Sequence, residues 1–225
     1  MSAPVAGFFG KLPAHGDFVE RGWPPGGTAA WDDWLQQALA VSREQLGERW
    51  LDVYLTSPIW RFGLSAGCLD QLHWLGVLLP SVDSVGRYFP LVLGWPLHED
   101  CQLVSTFLGA DDSFAALEQL GLAALEHGLR ADDVERELQA LSPPRAQPPQ
   151  PGGSAAFGAG AAASALPALL EWHWRSGSGA ISLWSSGGST AVQPGLSIAR
   201  GMPPTAGFAA MLDGGWRQWG WSAEQ

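Results

Sequence analysis

Lysine, tyrosine and cysteine are scarce in this chain. Of these shortages, the lack of positive charge restricts the possible binding partners most. Of the 225 residues only Lys11 is a lysine, and 12 Lys plus Arg stand against 22 Asp plus Glu, for a formal net charge of -10. Such a surface repels the phosphates of nucleic acids and of anionic lipids. We therefore expect neither a nucleic acid nor a membrane surface as a partner, and a protein partner fits the charge better.

Long hydrophobic runs and paired cysteines are also missing. No segment approaches the roughly 18 apolar residues that a membrane-spanning helix needs, and the first residues lack the basic and apolar regions of a secretory signal. Cys68 and Cys101 form no CxxC motif, so two free thiols are the simpler interpretation and a disulfide is the alternative. These features predict a protein of the cytoplasm.

Tryptophan, by contrast, is abundant. The chain has 13 Trp and 46% hydrophobic residues, which is enough apolar material for a substantial core in one domain over residues 1–225. Most of the indoles must be buried or lie at an interface, because so many exposed rings would favour aggregation.

Apolar residues at helical spacing predict four helices, at 28–46, 112–128, 132–141 and 205–212. Thr28 is placed to cap the first helix, and Gly47 is placed to end it. Asp132 and Glu135 have the spacing of a capping box at the start of the third helix.

Strand patterns predict four strands, at 60–65, 72–79, 88–95 and 181–184. In the first of these, Trp60 faces the core and Arg61 lies on a wet or functional face. Pro90 places its strand at a sheet edge, or delays the strand until after the proline. Residues 176–179, Ser-Gly-Ser-Gly, predict a hairpin that joins the 172–174 segment to the last strand.

Helices flank pairs of strands along the chain, which predicts an α/β protein with a sheet covered by helices on both faces. Short connections between consecutive strands imply antiparallel pairs, so we expect a mixed, partly antiparallel sheet. From residue 142 to residue 165 the sequence turns to Pro, Gly, Ala, Gln and Ser. Such a composition cannot bury enough apolar surface to offset chain entropy, which predicts a flexible loop.

Two segments place closely spaced charges at the end of an apolar run. The first is residues 7–22, Gly-Phe-Phe-Gly-Lys-Leu-Pro-Ala-His-Gly-Asp-Phe-Val-Glu-Arg-Gly. The second is residues 80–91, in which Asp83 and Arg87 stand four apart between two strand-like runs. Glycine and proline at these positions favour shaped loops that project polar groups.

Four blocks, in this order, resemble the TagF family of type VI secretion-associated proteins, also called ImpM. The blocks read Gly10-Lys-Leu-Pro-x-x-Gly-Asp-Phe-Val19, Trp31-x-x-Trp-Leu-Gln-x-x-Leu39, Ser57-Pro-x-Trp-Arg-Phe62 and Pro80-Ser-Val-Asp-x-Val-Gly-Arg-Tyr-Phe-Pro-Leu91. Ser84 stands where the family pattern has a basic residue, and Leu79 where it has Met. The resemblance implies a three-layer α/β/α sandwich. It also implies a cytoplasmic regulator that restrains type VI secretion after translation by binding another component, in particular the forkhead-associated scaffold protein.

Seven polar residues are candidates for partner binding: Lys11, His15, Asp17, Arg21, Arg61, Asp83 and Arg87. Asp83 and Arg87 could form a display surface or a ligand clamp, since the planar fork of Arg87 suits a carboxylate or phosphate. They could equally form an ion pair that fixes the strand connection. The alternative class is an enzyme or sensor that binds a small ligand or phosphate in a polar pocket around Lys11, Asp17, Asp83 and Arg87.

Reaction chemistry is sparse in the sequence. Gly10-Lys11 lacks the earlier glycine and the following Ser or Thr of a phosphate-binding loop. Ser197 lacks the last glycine of a nucleophile elbow, and the five histidines are dispersed. We therefore expect no catalytic activity, no cofactor and no metal. A third docking hypothesis uses the tryptophans of the C-terminal region, Trp172, Trp174, Trp216, Trp219 and Trp221, but burial of these rings in the core is favoured because aromatic residues usually pack inward.

Overall fold

The computed structural model describes residues 5–23, 28–148, 167, 170–171, 173–175, 177 and 179–222. Within these residues the strands are β1 (Gly7–Gly10), β2 (Val19–Arg21), β3 (Trp60–Leu64), β4 (His73–Leu79), β5 (Leu91–Leu97), β6 (Ile181–Ser186) and β7 (Gly195–Arg200). The helices are α1 (Ala29–Leu46), α2 (Trp50–Leu55), α3 (Leu103–Leu108), α4 (Asp111–Glu126), α5 (Ala131–Ala140) and α6 (Phe208–Asp213). Short 3-10 turns precede α2 at Gly47–Arg49 and α6 at Thr205–Gly207.

The described strands form one sheet in the order β2-β1-β5-β4-β3-β6-β7. Each pair of neighbours is antiparallel, so the parallel pairs that a mixed sheet would add do not occur among them. β5 lies inside the sheet, between β1 and β4, and begins only after Pro90. This is the second of the two outcomes expected for a strand beside a proline.

Helices cover both faces of the sheet, which confirms the α/β class and the three layers. On one face, α3, α4 and α5 pack on apolar side chains of β1, β4 and β5 in a cluster that includes Phe8, Leu93 and Phe114. On the other face, α1, α2 and α6 pack on a cluster rich in indoles, including Trp31 and Trp184. The two clusters bury most of the apolar side chains on which the fold depends.

A close approach of β4 and β5 explains two glycines at the centre of the sheet. Gly76 lies opposite Gly94, and a Cβ on Gly76 would fall 2.1 Å from the carbonyl oxygen of Leu93 and 2.8 Å from the ring of Phe62. No side chain fits in that space. The glycines therefore allow Phe62 to pack across the neighbouring strand.

The predicted helices are confirmed, with differences at their ends. Thr28 precedes α1, but its side chain makes no capping hydrogen bond, and Gly47 ends the helix with a φ of 54°. The two short helices α2 and α3 were not predicted, because six residues give too little periodicity to recognise. In the described part of the chain, no helix is both long and apolar enough to cross a membrane.

One prediction for the second half of the chain needs correction. His173 and Trp174 are helical, so they form no hairpin with β6, which pairs with β3 and β7 instead. Trp172 lies outside the described residues. Within the stretch 142–165, which was predicted to be a flexible loop, the described residues Gln147 and Pro148 hydrogen bond to Gln102 and to Thr106 of α3. The positions 149–165 of that predicted loop also lie outside the described residues.

The prediction of a wet face on β3 is wrong. A Cβ on Gly63 would lie 2.8 Å from the ring of Phe107, because α3 packs directly over the strand. Arg61 lies on the same face, where it binds Glu118 and Asp111 of α4. A polar residue in an alternating strand therefore marks a contact with a helix here, not with water.

Candidate functional site

The two polar segments come together at one end of the sheet. β5 lies between β1 and β4, and its first residue, Leu91, pairs with both Gly10 and Leu79. The connections that follow β1 and β4 therefore emerge side by side. We call residues 11–18 the first loop and residues 80–90 the second loop.

Asp83 joins the two loops from a buried position. Its Oδ2 accepts from the Lys11 ammonium at 2.8 Å and from Nε of Arg87 at 2.7 Å. Its Oδ1 accepts from the backbone N–H of Val85 at 3.0 Å and of Arg87 at 2.9 Å. Both carboxylate oxygens are thus used, one for two cations and one for the turn of its own loop.

The environment keeps Asp83 ionised. Burial by itself would raise the pKa of the Asp83 carboxyl, but the hydrogen bonds from Lys11 and Arg87 outweigh it and hold that pKa well below its usual range. Lys11 and Asp83 are only 4% and 3% exposed. The ion-pair interpretation of Asp83 and Arg87 therefore describes the geometry, and the partner that completes the pair is Lys11 of the other loop.

Further hydrogen bonds fasten the first loop to the second. Ser81 Oγ donates to the carbonyl of Lys11 at 2.7 Å, and the N–H of Ser84 donates to the carbonyl of His15 at 2.9 Å. The guanidinium of Arg87 donates to the carbonyl of Gly16 and lies 3.6 Å from the carboxylate of Asp17. The two loops consequently form one rigid unit.

The unit is also attached to α5. Nε2 of His15 accepts from the N–H of Ala131, the first residue of the helix, at 2.9 Å. Arg21 lies 3.5 Å from Asp132 and 3.7 Å from Glu135. The capping box predicted for Asp132 and Glu135 is not formed, since His15 binds a free N–H of the helix and both acids face Arg21 instead.

Tyr54 supports the second loop from below. Its buried hydroxyl donates to the carbonyl of Ser81 and accepts from the N–H of Ser81, both at 2.9 Å. We expect Tyr54→Phe to lower the free energy of unfolding by about 1–3 kcal/mol, because the N–H of Ser81 would stay buried without an acceptor. Urea unfolding followed by tryptophan fluorescence measures this. Tyr88→Phe is the control, since Tyr88 is half-buried and should cost clearly less; equal losses would contradict the prediction.

Two apolar side chains on the loops face solvent and were missed by the sequence analysis. Phe18 is 46% exposed and Val85 is 67% exposed. The Phe18 ring stacks on Phe9 with 5.7 Å between centroids, and the Lys11 ammonium lies 4.1 Å from its centre. Apolar residues next to a strand suggest core, and only the packing of the loops reveals that these two are displayed.

We define the docking patch as the exposed residues Asp17, Phe18, Val85 and Arg87. Six of the seven candidate residues lie in or beside it. Lys11 and Asp83 form its buried support, His15 and Arg21 attach it to α5, and Asp17 and Arg87 reach its surface. Arg61 does not belong to this group, because its guanidinium is held by Glu118 and Asp111.

The remaining candidates make contacts within the chain. Burial raises the pKa of both Cys68 and Cys101 to about 11, and both are free thiols. The Ser197 hydroxyl donates to the carbonyl of Trp184. Of the described C-terminal tryptophans, Trp174, Trp216, Trp219 and Trp221 are half-buried. Trp216 packs edge-on against Trp60.

An open groove of about 600 Å³ lies between α4 and α5, where Leu120, Leu129 and Leu141 form part of its lining. None of the seven candidate residues lines it. Among the described residues, no group of three His, Cys, Asp or Glu is placed to hold a metal ion.

The chain contains a domain associated with type VI secretion. A family model described as the TagF N-terminal domain, type VI secretion system-associated, matches residues 7–141. Because this is more than half of the sequence, the chain belongs to the TagF family. The match extends beyond the four motifs, which end near residue 91, to the end of α5.

A solved structure supports the same fold over nearly the whole chain. The protein is similar to PA0076 from Pseudomonas aeruginosa PAO1, whose crystal structure was determined at 2.05 Å resolution. The two are 36% identical, the similarity covers 93% of this chain and 94% of that chain, and the TM-score is 0.81. No protein with curated annotation matches significantly.

Proposed function

We propose that this protein is a cytoplasmic, non-enzymatic negative regulator of type VI secretion that acts after translation. It binds another component of the secretion system, and we propose the forkhead-associated scaffold as that component. Membership of the TagF family supports the link to type VI secretion. The observation that carries the binding proposal is the docking patch, in which apolar and charged side chains are displayed on a rigid support.

The physical argument begins with preorganisation. Phe18 is held by Phe9, Phe89 and Lys11, and Val85 sits in a turn closed by the Asp83 carboxylate. Little side-chain and loop entropy is left to lose when a partner binds such a surface, which favours affinity. Buried apolar anchors with a charged rim are the usual composition of protein interfaces.

A ligand pocket is the weaker alternative. A phosphate or carboxylate site needs several cationic groups that face open space, yet the Lys11 ammonium is buried against Asp83, and the exposed guanidinium of Arg87 is held by Asp83 and by the carbonyl of Gly16. An anion would have to displace a buried carboxylate that already carries four hydrogen bonds or ion pairs. We therefore favour recognition of a protein surface over binding of a small anion.

Regulation then follows from mass action. A scaffold molecule held by this protein is not free to assemble the secretion machine, and the occupied fraction depends on affinity and on the abundance of both proteins. No covalent step is needed. Dilution of the regulator, or loss of affinity at the patch, would release secretion.

The test combines substitutions at the patch with binding and secretion assays. We expect Phe18→Ser to weaken binding to the purified scaffold protein by at least about tenfold, because a central aromatic anchor is lost. In cells, Asp17→Ala combined with Arg87→Ala should release secretion while cooperative unfolding is retained. Titration calorimetry and the amount of secreted substrate in the medium are the measurements.

Asp133→Ala combined with Arg136→Ala is the matched control. It also removes one acid and one base that pair on α5, outside the patch, with the acid half-buried and the base exposed. If the patch variants still repress secretion, the docking patch is not the binding surface. Capture of a different secretion component by the wild-type protein, identified by quantitative mass spectrometry, would eliminate the scaffold as partner while leaving the patch intact.

A further inference from the structure

The two edges of the sheet differ in how they are protected. β2 has three residues, including Glu20 and Arg21, and Arg21 faces acids of α5. β7 has six residues, and in the described part of the chain no strand pairs with its outer side. Leu196 and Ile198 on β7 are each 57% exposed. Long edges with exposed apolar residues and no inward charge promote pairing with another strand.

The hydrogen bonds of β7 identify which groups face outward. The N–H of Gly201 donates to the carbonyl of Ala180 at 2.7 Å, in register with the β6–β7 pairs. Bonded and non-bonded pairs alternate along an antiparallel ladder. Ser197 and Ala199 therefore bond to β6, and the residues on either side of them direct their N–H and C=O groups away from β6. Those residues are Leu196, Ile198 and Arg200.

The region around the β7 edge differs in charge from the rest of the molecule. The chain carries 22 Asp plus Glu, yet residues 180–212 contain none, and Arg200 is the one charged residue among them. Two copies of a protein with a net charge of -10 repel one another over most orientations. Their β7 edges can meet without bringing strand carboxylates together.

We propose that β7 pairs antiparallel with β7 of a second copy, about a two-fold axis through Ser197. In this register Leu196 of one copy lies opposite Ile198 of the other, so that the outward N–H and C=O groups of both residues bond across the axis. The four aliphatic side chains then lie on one face, where cross-strand pairs stabilise the sheet. Arg200 falls opposite Pro194, whose missing N–H ends the ladder.

Other registers fit less well. A shift that places Ile198 opposite itself puts Arg200 opposite Leu196, which replaces aliphatic pairing with contact to a charge. A shift by a single residue brings outward-facing groups opposite inward-facing ones and leaves them unbonded. One strand pair is a small interface, so we expect a reversible, concentration-dependent dimer with a continuous sheet across the two copies.

A register-specific cross-link tests the proposal. Ser197 would lie opposite itself in a non-bonded pair, with Cα atoms roughly 4.5 Å apart, which suits a disulfide. Ser197→Cys should therefore give a covalent dimer under mild oxidation. Ala199→Cys is the matched control, because its opposite residue would be Gly195, and it should stay monomeric. Cross-linking of both variants to the same extent, or of neither, would overturn the register.

Sedimentation velocity over a wide range of protein concentration tests the dimer without cross-linking. We expect Ile198→Lys to weaken association at least about tenfold by placing like charges near each other, whereas Val85→Lys, on the docking patch, should leave it unchanged. Hydrogen exchange at high concentration should protect the amides of Leu196 and Ile198. A monomer at every concentration would overturn the proposal. If the amides of Leu196 and Ile198 were protected in that monomer, the β7 edge would be covered within one chain.

Discussion

Asp83→Asn should lower the melting temperature by on the order of 10 °C. The substitution keeps the shape of the side chain but removes the charge that compensates the Lys11 ammonium, which would remain 4% exposed without a carboxylate. A single buried charge without a partner is among the most costly defects in a folded protein. Thermal unfolding at neutral pH, followed by circular dichroism, measures the change.

Two variants distinguish the buried pair from general loss of surface charge. Asp17→Asn removes an exposed carboxylate 3.6 Å from Arg87, and we expect a shift of less than about 2 °C, since exposed ion pairs contribute little. Lys11→Met added to Asp83→Asn should restore part of the lost stability, because no unpaired ammonium remains. If the double variant melts no higher than Asp83→Asn, the proposed cause of the loss is wrong.

The local parts of the fold could be predicted from sequence. Helices α1, α4 and α5 and strands β3 and β4 repeat their apolar residues often enough to identify their type. Strand order could not be predicted in this way, because it depends on pairing between distant segments, such as Phe62 with Trp184. The direction of each pair depends on the same distant pairing. The hairpin predicted before β6 was wrong for the same reason, since β6 pairs with β3 and β7 and not with the segment that precedes it.

The candidate site was predicted in composition but not in orientation. The sequence places the loop charges in two segments, and the ion pair of Asp83 with Arg87, which the structure contains, was one of two interpretations left open. Whether a charged loop residue faces water depends on its contacts with the other loop. Here the ion pair with Lys11 of the first loop allows Asp83 to be buried beneath the docking patch. The same packing displays Phe18 and Val85, although an apolar character is more typical of buried residues. Charge therefore stabilises this surface, and we expect apolar contact to contribute more of the binding energy.

A second large effect should appear as a pH dependence of stability, and it comes from His73 on β4. The side chain is 2% exposed, and its Nδ1 accepts from the N–H of Ala66 at 2.8 Å. Burial lowers the pKa of His73 from 6.5 to about 4, and the positive charge of Arg175 adds to this effect. Above pH 6.5 the imidazole is neutral in both the folded and the unfolded chain. As the pH falls toward 4 only the unfolded chain takes up the proton, which costs the fold about 3 kcal/mol in total.

His73→Asn isolates this contribution, because the amide oxygen can still accept from Ala66 while the titrating group is gone. Urea unfolding of the wild type and of His73→Asn between pH 7 and pH 4 gives the difference in their free energies of unfolding. The titration of the carboxylates that both proteins share largely cancels in this difference. We expect the wild type to lose about 3 kcal/mol more than the variant over this range. His127→Asn, at an exposed position after α4, should follow the wild-type curve. Parallel curves for the wild type and His73→Asn would show that His73 is not held neutral by the fold.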